Sequence, residues 1–63
     1  MKLEHDPKID ALYVRFGRGE VESSEEVSPG IIFDYDAKGR IVAIEVLDAR
    51  QKLAPDAFPI AAE

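Results

Sequence analysis

Residues Asp34 to Glu45, DYDAKGRIVAIE, set side chains in the order of a calcium-binding loop: Asp at positions one and three, Gly at six, Ile at eight and Glu at twelve. A second group with chemical potential is His5, Asp6 and Asp10, which Asp34 joins if the hairpins of the chain lie side by side. An imidazole with carboxylates can hold a transition metal. Position five of the calcium pattern, however, is Lys38, whose ammonium would repel the cation. A calcium loop of this type also needs a helix on each side, whereas GIIFDY and RIVAIEVL are strand sequences. On extended chain, at about 3.3 Å per residue, Asp34 and Glu45 are expected to be carried apart. His5 at a strand end and Asp residues around a turn are also what hairpin chemistry places there.

Other chemistries have less to build on. The chain has no Cys, and Ser23, Ser24 and Ser28 share an acidic segment far from the single His, so no nucleophile and base are paired. FGRGE offers two glycines without the strand-to-helix context or the Lys-Ser/Thr ending of a phosphate loop. It reads as a turn. No catalytic residue, cofactor or metal ligand is assigned, and the chain is not expected to be an enzyme.

The elements that position these residues are strands. Ala11–Phe16 (ALYVRF) and Arg40–Leu47 (RIVAIEVL) are rich in β-branched and aromatic residues, Gly30–Tyr35 is a third strand, and Lys2–His5 is a fourth that Asp6-Pro7 ends. HDPKIDALYVRF and YDAKGRIVAIEV echo one another, each reading as a hairpin turn followed by a strand. In DAKG, Asp36 accepts from the turn backbone and Gly39 takes positive φ. A four-residue loop, Asp36 to Gly39, sets Tyr35 opposite Arg40, Phe33 opposite Val42 and Ile31 opposite Ile44. Ile31, Phe33, Val42, Ile44 and Val46 then share a face with Leu3, Leu12, Val14 and Phe16. Ile32, Asp34, Ile41, Ala43, Glu45 and Leu47 lie on the other, which is more apolar than a solvated face.

A short helix over Ala49 to Ala54, with Asp48 as N-cap and Pro55 as stop, is one cover for that second face. A second copy of the chain is the other. The expected fold is mostly β: a four-stranded antiparallel sheet of two hairpins with a short C-terminal helix, in a single small domain over 1–54, with an extended tail over 55–63. Between the hairpins, GEVESSEEVSPG reads as a solvated edge strand or loop whose charges discourage further pairing.

The chain has 63 residues, of which 46% are hydrophobic and 33% charged, the balance of a folded domain rather than a disordered one. A domain of this size buries only about 60% of its unfolded surface. Without disulfides or a thiolate metal site, oligomerisation is the remaining way to add burial. The net charge of -5 and the scattered basic residues argue against nucleic acid, and no apolar run is long enough for a membrane helix. The absence of Cys and of a signal-like N-terminus points to the cytoplasm. The surfaces expected to bind are the apolar residues Ile32, Ile41 and Leu47, and the acidic Glu20, Glu22, Glu25 and Glu26, the latter facing a basic partner protein. The alternative is a metal-binding or hydrolytic site assembled at an oligomer interface from His5, Asp6, Asp10 and Asp34.

The order Asp6-Pro7, DALYVRF from Asp10, SEEV from Ser24, GIIFDYD from Gly30, GRIV from Gly39 and IEVLDA from Ile44 resembles the domain-of-unknown-function family 2283, small proteins of bacteria and archaea. The resemblance runs from Met1 to about Leu53, and DALY and DYD…G are its most specific parts. It implies a compact, mostly β protein with no established activity, similar in size to antitoxin partners of toxin–antitoxin pairs. Ala43 departs from the pattern, where many relatives have Gly.

Overall fold

The computed structural model describes residues 1–54. Five strands and one helical turn follow in order: β1 (Lys2–Asp6), β2 (Ala11–Arg15), β3 (Ser23–Ser28), β4 (Ile31–Tyr35), β5 (Ile41–Val46) and α1 (Ala49–Lys52). All strand pairs are antiparallel, in the order β1-β2-β5-β4-β3. The expectation of four strands is therefore corrected to five. The added strand, SSEEVS, is exposed at all six positions, so it carries none of the alternation between buried and solvated residues that announces a strand. It forms because a turn at Pro29-Gly30 returns the chain along β4. Gly30 has φ +77°, a conformation that side chains resist, and its N–H bonds Glu26 Oε2 at 3.0 Å. The tail expected over 55–63 lies outside the described residues.

The β4–β5 register differs from the one expected, for two reasons whose displacements add. Asp36 N–H bonds the Arg40 carbonyl at 2.9 Å and Gly39 N–H bonds the Asp36 carbonyl at 3.0 Å. Asp36 and Arg40 thus close the turn themselves, and the loop holds three residues rather than four, with Gly39 left-handed at φ +78°. Tyr35 consequently pairs with Ile41 instead of Arg40. A slip of one residue would turn every following side chain to the wrong face. A bulge in β5 supplies a second slip: Asp34 pairs with Ala43, Phe33 with Ile44 and Ile31 with Val46, which leaves Val42 as the extra residue. The total displacement is two residues, so Ile31, Phe33, Ile44 and Val46 keep the face expected of them.

That face carries the core. Leu12, Val46 and Ala49 form the buried cluster, with Val14, Ile31, Ile44 and Leu53 packed on it. The helix therefore covers the Leu12 face, not the Ile32 face for which a cover was expected. It is also shorter than expected, ending at Lys52 with Leu53 extended. Asp48 adopts φ 52° and makes no side-chain cap. The N-terminus of α1 is held instead by Asp10, whose carbonyl accepts from Ala49 N–H at 2.9 Å and whose Oδ2 accepts from Arg50 N–H at 3.1 Å. A side chain remote in sequence has taken the capping position because the β1–β2 turn lies against the end of β5. At the other end of α1, Lys52 Nζ donates to the Leu47 carbonyl at 2.7 Å and rests against Gly30, where a Cβ would collide with it.

Candidate functional site

Register assigns each polar side chain to a face. On the helix side, His5 pairs with Leu12 across β1 and β2, and its side chain is 6% exposed. Its Nε2 lies 2.9 Å from Asp10 Oδ1, to which it donates. The bond from His5 is the main reason that the Asp10 carboxyl titrates below its ordinary value; Arg50 adds to it and partial burial opposes it. Asp6 is engaged elsewhere, its Oδ1 accepting from Lys8 N–H at 3.0 Å. Asp34 is on the opposite face, in the row Arg15, Ala43, Asp34, Ser24. His5 and Asp10 are thus brought together, whereas Asp6 and Asp34 are not. Among the described residues no three His, Cys, Asp or Glu side chains converge.

The calcium-like stretch resolves into the turn. Asp36 Oδ1 accepts from Lys38 N–H and Arg40 N–H, each at 2.9 Å, and Oδ2 accepts from Arg40 Nε at 2.9 Å. Those donors, the Arg40 backbone N–H first, hold the Asp36 carboxyl below the usual carboxylate range. The expectation that Asp34 and Glu45 are carried apart is corrected. The hairpin folds β5 back beside β4, and with Asp34 opposite Ala43 and Ile32 opposite Glu45 the two carboxylates are diagonal neighbours on one face.

That face is more polar than its sequence suggests. Asp34 is buried, at 5% exposure, and accepts from Ser24 Oγ at 2.6 Å. Tyr13 lies opposite Glu45 and Arg15 opposite Ala43. Arg15 bonds the Tyr13 hydroxyl at 3.1 Å and also the Gly19 carbonyl, which ties the β2–β3 connection over the sheet. Burial pushes the Glu45 carboxyl up, and the charge of Asp34 adds to the effect. Glu45 therefore holds its proton to higher pH than a free glutamate. It lines an open groove of about 330 Å³ with Glu4, Asp6, Ile9, Tyr13 and Leu47. The sequence reading placed Asp34 and Glu45 on this face but missed Tyr13 and Arg15, which alternation with Leu12 and Val14 along β2 assigns to it.

The surfaces expected to bind partners are placed as follows. Ile32 is half-buried opposite Glu45 and shares its face with the exposed Leu47, whereas the exposed Ile41 pairs with Tyr35 and so lies on the helix side, which corrects the expectation that all three share one face. Glu20 and Glu22 lie in the connection before β3. Glu25 projects on the Phe33 face, where it accepts from the Tyr35 hydroxyl at 2.9 Å, and this bond raises the Tyr35 pKa. Glu26 projects on the Ile32 face. Neither group makes one continuous patch.

A larger apolar feature crosses the sheet on the helix side. Leu3, Val14, Ile44 and Phe33 form one row over β1, β2, β5 and β4. Leu3 is 39% exposed, and the other three are only partly buried.

Compared with known proteins, the chain matches over residues 2–50 the family described as "Protein of unknown function (DUF2283)". No curated protein and no solved structure matches it.

Proposed function

The chain belongs to the DUF2283 family, and from that premise we propose that it is a non-catalytic interaction module that works as a homo-oligomer and presents its sheet to a protein partner. The observation that carries this reading is the thinness of the core. Among the described residues only Leu12, Val42, Ala43, Val46 and Ala49 are buried hydrophobics, and Leu12 is the one large side chain among them. Full burial of a leucine stabilises by about 1.5–3 kcal/mol. The four-residue helix leaves the Leu3, Val14, Ile44 and Phe33 row half-covered, and there is no disulfide to compensate. Further burial against another chain supplies what the monomer lacks.

The non-catalytic part of the reading is supported by how the reactive groups are used. The chain's single imidazole, His5, is turned to the helix face and taken up by Asp10, away from the Asp34 and Glu45 carboxylates. Ser24 donates to Asp34 rather than facing a base. Glu20 and Glu22 before β3 and Glu25 and Glu26 within it are exposed at the β3 edge of the sheet, on both of its faces, and suit a basic partner of the kind an antitoxin-like protein holds.

Sedimentation equilibrium of the untagged protein, with melting followed over a hundredfold range of concentration, tests the proposal. A homo-oligomer whose melting temperature rises with concentration is the expected result. A monomer at every concentration, with a constant melting temperature, would refute it.

A further inference from the structure

The two sheet edges are built differently. β3 carries Glu25 and Glu26, and Val27 is a bulged residue between the Glu26–Ile32 and Ser28–Ile31 pairs. Charge and bulge both obstruct the addition of another strand. β1 has no bulge, and the charges of Lys2 and Glu4 on its outward-facing positions are of opposite sign rather than alike. Its five residues pair with β2 in unbroken register, from Lys2 opposite Arg15 to Asp6 opposite Ala11, and among the described residues nothing pairs with its outer side. The apolar row shows the same asymmetry, ending in Glu25 at the β3 edge and in the exposed Leu3 at the β1 edge.

We infer that two copies join through β1, antiparallel about a twofold axis at Leu3, to make one ten-stranded sheet. This rests on the self-association proposed above and adds the surface that performs it. Side-chain alternation and charge select the register. An axis at Leu3 sets Lys2 opposite the partner's Glu4 and Glu4 opposite the partner's Lys2, two attractive cross-strand pairs on one face. On the other face Leu3 meets the partner's Leu3, so the two apolar rows fuse into a single band. Moving the pairing by one residue sets the helix face of one copy beside the polar face of the other. Moving the axis to Glu4 places Glu4 against the partner's Glu4. The charges are in position for this role: Lys2 Nζ and Glu4 Oε1 lie 3.2 Å apart on one face, with side chains 71% and 57% exposed. Within one chain such an exposed pair contributes little.

Charge reversal tests the interface. Lys2→Glu alone and Glu4→Lys alone each place like charges at both cross-strand pairs, and each variant is expected to dimerise about tenfold or more weakly. Mixing the two variants pairs opposite charges at every position, so native mass spectrometry of the mixture is expected to show a one-to-one heterodimer. That recovery also demonstrates that both variants fold. Variants that dimerise as the wild type does, or a mixture that stays monomeric beside a dimeric wild type, would overturn the β1 interface and leave self-association to another surface. A wild type that is monomeric throughout would remove both.

Discussion

The β1–β2 and β4–β5 turns start from the same chemistry and end with different responsibilities. In each, an Asp side chain accepts from the backbone two residues on: Asp6 from Lys8, and Asp36 from Lys38. Each then uses a residue at positive φ to re-enter a strand, Gly39 at 78° and Asp10 at 53°. Gly39 adopts this conformation without steric cost, and no heavy atom would lie within 4 Å of a Cβ there. Its turn is closed by its own residues. Asp10 adopts the same conformation despite carrying a side chain, and that side chain joins His5 on β1 to the first turn of α1. One turn merely reverses the chain, whereas the other is a junction of three elements. A non-glycine residue in the left-handed region is thus a pointer to long-range structure when its side chain reaches beyond the turn.

Substitutions should separate the two roles. Asp10→Ala is expected to have the largest effect, because it removes the His5 bond and the helix cap while leaving a Cβ at positive φ. Its loss of stability in urea should be roughly two to three times that of Gly39→Ala. Gly39→Ala should cost about 1 kcal/mol, seen as a melting temperature lower by about 4–8 °C, since only the backbone conformation is disturbed. Asp10→Gly sharpens the comparison. If the two left-handed positions are alike, the gap between Asp10→Gly and Asp10→Ala equals the whole loss of Gly39→Ala, and a much smaller gap would show that Asp10 is already relieved by its partners.

Acid titration distinguishes the turns by their carboxylates. Asp10 and Asp36 both have folded-state pKa values lowered from 3.8. The folded state therefore binds fewer protons, and each group's contribution is present above pH 3.8 and lost as the pH falls through its folded value. Asp10→Asn and Asp36→Asn should each lower stability near neutrality, where the contribution is fully present, and flatten the stability profile below pH 3.8, where the wild type loses it. Urea melts at successive pH values read this directly, and a profile as steep as that of the wild type would contradict it. Arg40→Ala should have the smallest effect, no more than about 0.5 kcal/mol, because its ion pair with Asp36 is exposed on the Arg40 side.

The sequence made four of the strands legible, and the turn at Asp36–Gly39, because those features are written in local residue types. What it concealed was decided by tertiary partners. β3 has no buried face to mark it. The helix cap is Asp10 rather than Asp48, a choice made only when the β1–β2 turn meets the end of β5. Asp34 and Glu45 looked remote on an extended chain and became neighbours through the hairpin. The His5–Asp10 contact was visible as a spacing, although its result is a helix cap within one chain and not a gathering of ligands. From Ala43 onward the faces were assigned correctly through a wrong register, since the shorter loop and the β5 bulge each displace the pairing by one residue in the same direction; Ile41, which lies between the two, is on the other face from the one expected.

That last coincidence makes the length of the turn and the bulge at Val42 a single inherited unit. Removing or adding one residue in the loop alone would set β5 out of phase with β4, so that Phe33 and Ile44 could no longer share the helix face. A compensating deletion or insertion beside Val42 would restore the phase. Divergence in this hairpin is therefore expected to proceed by coupled insertions and deletions on either side of Ile41, so that relatives with a loop longer by one residue have an unbulged fifth strand.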